Sequence, residues 1–271
     1  MMLKITVDDD LDLEKIIDSG QCFRPSKTGD GTFMFVTGEH RVTVTDETLR
    51  AGKKDTEGST KLSVSCTRKE WDEVWHHYFD LDTDYRSIRQ SIPEDDIYLK
   101  EAASAGAGIR ILRQDKFEML ISFIISQRKS IPAIRNCVEK IVALYGRDGF
   151  FPKSEDMLGA TDEELSSCGI GYRIPYVRAA AERVATGGID LEKLGDLSGD
   201  ELFDVLKSFA GVGDKVANCV ALFAYHRTER APVDTWIAKV IEKQYNGIDP
   251  FPRYGKYAGI MQQYMFFHAK S

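Results

Sequence analysis

The sequence lacks any apolar run as long as a membrane-spanning helix requires, which is about 20 residues. It also lacks paired cysteines. Its five are scattered and form no Cys-x-x-Cys, which argues against a disulfide framework, a zinc site or an iron–sulfur cluster. Residues 1–13 are acidic and lack the basic leader and apolar core of a signal peptide. We therefore expect a globular protein of the cytoplasm, without cofactors of these kinds.

An excess of positive charge is missing too, since the formal net charge is −7 at pH 7. The acidic residues are concentrated in short clusters, which are typical of solvated loops and helix N-termini. Basic residues gather elsewhere, at Arg110, Arg113, Arg128, Lys129, Arg135, Arg173 and Arg178. The sequence predicts a local basic groove on an acidic body, which would hold a polyanion in a salt-sensitive way.

The pattern of apolar residues changes near residue 84. Before it, short alternating runs separated by Gly and Asp predict a small antiparallel sheet. The predicted strands cover 3–7, 32–36, 41–45 and 61–66, with a helix over 12–19. After residue 84 the spacing is helical, and the predicted helices cover 117–125, 134–145, 162–168, 178–186, 199–209, 215–224, 234–243 and 257–268. The expected fold class is α+β, with a sheet domain over 1–83 and a helical region over 84–271 whose last helix packs back toward the N-terminal part.

One segment joins two predicted helices through glycines. An amphipathic run over 202–209 is followed by Gly211 and Gly213, and an apolar helix begins at about Lys215. Glycines allow positive φ and close approach of the backbone to another molecule. Free amides at the start of the second helix suit an anion such as a phosphate. A plain helical hairpin with glycine caps is the alternative interpretation.

A carboxylate recurs at the start of the next helix. Asp234 follows Pro232-Val233 and precedes an apolar stripe, where an N-cap residue is preferred. Capping alone would explain this aspartate. A lysine and a carboxylate, each at a helix start, would also suit a nucleophile with a nearby charged partner.

Gly-Val-Gly-Asp-Lys (211–215) followed by Pro-Val-Asp (232–234) resembles the helix-hairpin-helix DNA glycosylase superfamily, and above all its 8-oxoguanine DNA glycosylase/AP lyase branch. Residues 20–24 (Gly-Gln-Cys-Phe-Arg) are similar to the base-reading motif of that branch. Residues 169–173 resemble its DNA-intercalating turn, and 258–266 its C-terminal pocket helix. The motifs occur in the family's order over nearly the whole chain, which looks like the compact bacterial form.

The resemblance implies an enzyme that flips a nucleotide out of double-stranded DNA containing 8-oxoguanine and excises its base. Lys215 would attack the anomeric carbon and form a Schiff base, from which β-elimination would cleave the strand. Asp234 would stabilise positive charge on the deoxyribose and orient Lys215. Because every implied contact comes from one chain, we expect a monomer.

The resemblance also implies the binding residues. Gly20 would accept from the N7–H that distinguishes 8-oxoguanine from guanine, and Gln262 would read the Watson–Crick edge. Cys219 and Phe266 would pack on the two faces of the base, and Pro232 would line the same pocket. DNA contacts are implied for Arg128, Tyr172, Arg173, Gly211, Gly213 and Trp236. A monovalent cation would lie on the carbonyls of Lys207, Phe209 and Val212. As an alternative, Cys219 is a core cysteine, Phe266 a core aromatic, Gln262 a surface amide and Gly20 a turn glycine.

Tyr172 is expected to wedge into the base stack and Arg173 to contact the orphaned partner base.

Several positions depart from the pattern of the family. Arg128 stands where relatives have an asparagine, Trp236 where a histidine is common, and Ala133 where an arginine reads the opposite cytosine. Strict preference for cytosine opposite the lesion is therefore in doubt.

Two other functions are compatible with parts of the pattern. A monofunctional glycosylase for alkylated bases keeps the aspartate but typically lacks the lysine, so Lys215 argues against it. A non-catalytic helix-hairpin-helix DNA-binding module needs neither Asp234 nor a C-terminal pocket helix.

Overall fold

The computed structural model describes residues 2–50 and 59–270, which divide into two compact units. The first unit comprises residues 1–35, 41–113 and 228–271, and the second comprises 36–40 and 114–227. Helices and an antiparallel sheet occur in segregated stretches of the chain, which confirms the predicted α+β class. Every helix of the described residues is too short or too polar to cross a bilayer.

A five-stranded sheet lies near the N-terminus, in the order β1-β5-β4-β3-β2. Its strands are β1 (Leu3–Val7), β2 (Ser26–Gly29), β3 (Thr32–Thr37), β4 (His40–Asp46) and β5 (Thr60–Val64). The four predicted strands are confirmed with small differences at their ends. The prediction missed β2, because that strand is polar and mostly exposed and so has no apolar alternation.

Helices close one side of the first unit's core. α1 (Leu13–Asp18) is capped by Asp12 and buries Leu13, Ile16 and Ile17. α2 (Glu47–Arg50) follows the sheet's fourth strand. The next helical stretch runs through α3 (Arg68–Glu70), a π-helical turn (Trp71–Trp75) and α4 (His76–Tyr78). It begins before residue 84, where helices were predicted to start, because Trp71, Trp75 and Phe79 recur at i+4 and all enter the core.

The rest of the first unit comes from both ends of the chain. α5 (Tyr85–Gln90) and α6 (Ile97–Ala105) are followed, after the second unit, by α13 (Thr235–Gln244), a 3₁₀ segment (Phe251–Tyr257) and α14 (Ala258–Lys270). α14 packs on α6 and α13. The ammonium of Lys270 donates to the carbonyl of Asp18 at 3.0 Å, so the last helix is tied to the end of α1.

The second unit is built around one buried helix. α7 (Lys116–Ser126) buries every residue after Lys116 and packs on α8 (Ile131–Tyr145), α10 (Ile174–Ala185) and α12 (Asp214–Tyr225). α9 (Asp162–Ser167) and α11 (Gly199–Lys207) complete the unit's α-helices. α8 and α10 begin earlier than predicted, because Pro132 and Pro175 occupy the first helical turn, where proline is favoured.

Candidate functional site

The glycine hairpin between α11 and α12 lies in the second unit. Its turn is closed by the N–H of Val212, which donates to the carbonyl of Phe209 at 3.1 Å. Gly213 is the N-cap of α12 and supplies no side-chain cap. Within the described chain, the amides of the first turn of α12 therefore receive no side-chain cap from the N-cap residue, which is the arrangement that suits an anion.

The two hairpin glycines differ in backbone conformation and in the space around them. Gly211 has a φ of +77°, and a Cβ there would lie 2.4 Å from Cδ2 of Tyr176. Gly213 has an extended backbone with a φ of −97°, and a Cβ there would meet nothing within 4 Å. Gly211 thus uses the positive φ that glycine allows, whereas Gly213 does not. Among the residues that the structure describes, none lies close enough to require a glycine at this open position beside the first turn of α12.

Lys215 lies in the first turn of α12 and is partly exposed. Its Nζ is 5.3 Å from the ring centroid of Phe123. It lies 3.5 Å from Oγ of Ser126, at the long limit of a hydrogen bond. No carboxylate of the described second unit forms an ion pair with this amine. The Lys215 side chain thus contacts α7 through Phe123 and Ser126, and α7 offers it no carboxylate. Cys219, one turn further along α12, is buried.

Asp234 lies in the first unit, as the N-cap of α13. One carboxylate oxygen, Oδ1, accepts the N–H groups of Trp236 at 3.0 Å and Ile237 at 2.9 Å. Within the described first unit, the other oxygen has no hydrogen-bond partner. Capping therefore fixes the carboxylate while leaving one oxygen for a second role. Pro232 is buried just before it, and Trp236 is 43% exposed just after it.

Three predicted pocket residues lie elsewhere in the first unit. Gln262 is buried on α14, and its Oε1 accepts from Nε2 of Gln263 at 3.1 Å. Phe266, one turn later, is partly exposed. Gly20 follows α1 with a φ of +78°.

The sequence did not assign a role to Gln21, which holds the loop after Gly20. Its amide donates to Oγ of Ser19 at 2.8 Å and to the carbonyl of Arg110 at 2.9 Å, and accepts the N–H of Leu112 at 2.8 Å. Its signal was its place in the Gly-Gln-Cys-Phe-Arg motif.

The predicted intercalating turn exposes one residue and buries the next. Tyr172 is 56% exposed, as a wedge requires, whereas Arg173 is only 4% exposed. The guanidinium of Arg173 donates to the carbonyls of Ile170 and Gln127 and lies 4.2 Å from the ring centroid of Tyr172. Arg173 does not present a surface cation here, contrary to expectation, because a carbonyl of the turn and the carbonyl of Gln127 at the end of α7 accept its hydrogen bonds. Arg128 is exposed, with a φ of +51°.

Two arginines expected in a basic groove are structural instead. Arg110 is fully buried, where it pairs with Asp9 at 2.8 Å. Arg113 pairs with Asp80 at 2.8 Å. Both sit within the first unit's network of charges, because a buried carboxylate needs a cation partner there. The acidic cluster that contains Asp9 is correspondingly not just a solvated loop.

Comparison with known proteins agrees with these features. The family model for the N-terminal domain of 8-oxoguanine DNA glycosylase matches residues 2–120, and the model for HhH-GPD superfamily base excision DNA repair proteins matches residues 121–262. A helix-hairpin-helix fold with a lysine in the first turn after its glycines thus defines the class as the DNA glycosylases. The chain belongs to the HhH-GPD superfamily of base excision DNA repair proteins, in its 8-oxoguanine DNA glycosylase branch.

Individual relatives are similar over most of their length. The structure of MBOgg1 in complex with a low-affinity DNA ligand has 33% identity and a TM-score of 0.87, and the match covers 98% of this chain and 95% of that one. The Clostridium acetobutylicum 8-oxoguanine glycosylase/lyase, in complex with double-stranded DNA containing cytosine opposite 8-oxoG, has 31% identity and a TM-score of 0.87, and the match covers 100% of this chain and 97% of that one. The N-glycosylase/DNA lyase OGG1 of Arabidopsis thaliana is 28% identical, over 95% of this chain and 77% of its own.

Proposed function

We propose that this chain is a bifunctional enzyme that excises 8-oxoguanine from duplex DNA and then cleaves the strand at the abasic site. The coarser activity, DNA N-glycosylase and DNA lyase, follows from its family and from relatives that carry those names. One observation carries the finer proposal. Lys215 lies in the first turn of α12 without an ion-pair partner in its own unit, beside uncapped helical amides.

The chemistry assigns one step to each functional side chain. The unprotonated amine of Lys215 attacks C1′ of the flipped nucleotide, and the base leaves with the electrons of the glycosidic bond and takes a proton. The sugar ring opens to a Schiff base between C1′ and Nζ. Loss of a C2′ proton then expels the 3′ phosphate, and water releases the lysine. Asp234 stabilises the positive charge that develops on the sugar, through the oxygen that its capping bonds leave unused.

The hairpin is proposed to hold the DNA backbone. The amides at the start of α12 face an open position at Gly213, where a phosphate oxygen can approach closely. A monovalent cation on the carbonyls of Lys207, Phe209 and Val212 remains part of the proposal, and we propose no other cofactor. Arg183 takes the carbonyl of Ser208 and Gln127 that of Gly211, neither of which belongs to the proposed set. Within the set, the carbonyl of Phe209 accepts the N–H of Val212 and keeps a second lone pair for a cation.

The remaining roles follow the same family logic. Gly20, Cys219, Pro232, Gln262 and Phe266 are proposed to bind the base, and Tyr172, Arg128 and Trp236 to contact DNA. Ala133 brings no guanidinium to the position that would read the opposite base, so we propose a relaxed preference for cytosine. The enzyme is proposed to act as a monomer in the cytoplasm.

Borohydride trapping tests the proposal. A duplex with one 8-oxoguanine, opposite each of the four bases in turn, should give a covalent adduct with the wild type. The adduct should vanish in Lys215→Gln and persist in Lys193→Gln, an exposed lysine of the same unit. Absence of an adduct with the wild type, together with release of alkylated bases, would favour a monofunctional enzyme instead. Binding without any base release would leave only a DNA-binding module.

A further inference from the structure

Gln127, the C-cap residue of α7, holds two parts of the second unit at once. Its side-chain amide donates to the carbonyl of Ile124 at 3.0 Å and to the carbonyl of Gly211 at 3.1 Å. Its own carbonyl accepts a hydrogen bond from the guanidinium of Arg173. This one residue therefore joins the glycine hairpin to the turn that carries Tyr172.

Two cationic side chains donate hydrogen bonds to carbonyls of the turn that carries Tyr172. Arg173 donates to the carbonyl of Ile170 at 2.9 Å and lies against the ring of Tyr172. The ammonium of Lys129, two residues after Gln127, donates to the carbonyl of Gly169 at 2.8 Å. The exposed tyrosine thus rests on a turn whose carbonyls are bonded to the end of α7. Its position therefore depends in part on that end.

The hairpin side of the connection leads to the nucleophile. Gly211, whose carbonyl Gln127 holds, precedes Lys215 by four residues, and α12 begins between them at Asp214. On its other side Gly211 packs against Tyr176, whose ring occupies the space where a Cβ would be. Only Val212 and Gly213 separate that residue from the first turn of α12, so the bond from Gln127 acts close to Lys215.

We propose that Gln127 is a positioning residue that keeps the wedge Tyr172 and the nucleophile Lys215 in register on one nucleotide. The assignment rests on the proposed function. Wedge and nucleophile must act together on damaged duplex DNA, and a misplacement of about 1 Å costs up to roughly 100-fold in rate. Single-stranded DNA with a preformed abasic site has no base stack to open, so only the amine of Lys215 is needed there. Arg173 acts through Gln127 in the same way.

The test compares these two substrates in Gln127→Met, which keeps the length of the side chain and loses its donors. Single-turnover excision of 8-oxoguanine from duplex DNA should slow on the order of tenfold or more, whereas cleavage of the single-stranded abasic site should change less than about twofold. Thr186→Val is the matched control. It removes another side-chain bond to a backbone carbonyl, that of Glu182, away from hairpin and turn, and both of its rates should equal those of the wild type.

The coupling to the wedge gives a second readout. Tyr172→Ala should cost much less in the Gln127→Met background than in the wild type, since the wedge is already out of register. Equal slowing of both substrates, full additivity with Tyr172→Ala, or an unchanged duplex rate would overturn the assignment. If Gln127→Met does not fold, Arg173→Lys serves instead, because an ammonium cannot donate to the carbonyls of Ile170 and Gln127 as the planar guanidinium does. It should likewise slow excision from duplex DNA and leave cleavage of the single-stranded abasic site nearly unchanged. A wild type that forms no trapped adduct would overturn the proposed function, and this assignment with it.

Discussion

Replacing Gly211 with alanine should destabilise the second unit far more than one added methyl group usually does. The backbone there has a φ of +77°, and a left-handed conformation costs an L-residue roughly 1 kcal/mol. The new Cβ would also lie 2.4 Å from the ring of Tyr176, well inside van der Waals contact. Relieving such an overlap typically costs about 1–3 kcal/mol. The free energy of unfolding should therefore fall by about 2–4 kcal/mol.

Denaturant unfolding of two matched variants separates these causes. Gly213→Ala should change the free energy of unfolding by less than about 0.5 kcal/mol, because the backbone there is extended and the space is open. It should nevertheless weaken DNA binding if a phosphate approaches that face. Tyr176→Ala removes the ring, so adding Gly211→Ala to it should cost only the conformational part, about 1 kcal/mol. A Gly211→Ala protein as stable as the wild type would refute the argument that Tyr176 requires a glycine.

Three further predictions concern single side chains. Asp234→Asn keeps a capping oxygen, so stability should stay within about 0.5 kcal/mol while base excision falls sharply; Asp234→Ala should in addition lose about 1 kcal/mol of unfolding free energy. Tyr172→Ala should slow excision from duplex DNA in single-turnover assays while leaving the melting temperature unchanged, because the ring is mostly exposed. Burial raises the pKa of Asp115 above its ordinary 3.8, so stability is lost as pH rises from 3.8 through the raised value. Asp115→Asn, which keeps the cap on Glu118, should therefore be more stable than the wild type at pH 7, and its advantage should shrink as pH falls toward 3.8.

The parts of the fold that were predictable are those in which one local pattern decides the structure. The alternating strands over 32–36 and 41–45 and the apolar helix over 117–125 appear nearly as expected. β2 was missed because its residues are polar and pair through the backbone, so the strand has no buried apolar face. The helical turns after Arg68 were missed because the i+4 spacing of the two tryptophans was not recognised beside the strands.

The site was predictable where a residue's role depends on its own backbone. Asp234 as an N-cap and Gly211 at positive φ follow from local sequence. The roles of Arg110 and Arg173 could not be read this way. A basic residue in a sequence has the same charge whether it faces solvent or bonds to buried carbonyls, and only tertiary contacts decide between the two.

The hairpin shows how such contacts decide what a loop can bind. A helical hairpin exposes carbonyls as well as amides, and its carbonyls would repel a phosphate. Here Arg183 binds the carbonyl of Ser208, Gln127 binds that of Gly211, and Val212 donates to that of Phe209. The amides at the start of α12 receive no side-chain cap in return. Bonded carbonyls beside uncapped amides favour the proposed phosphate contact at the start of α12, in a chain without an excess of basic residues.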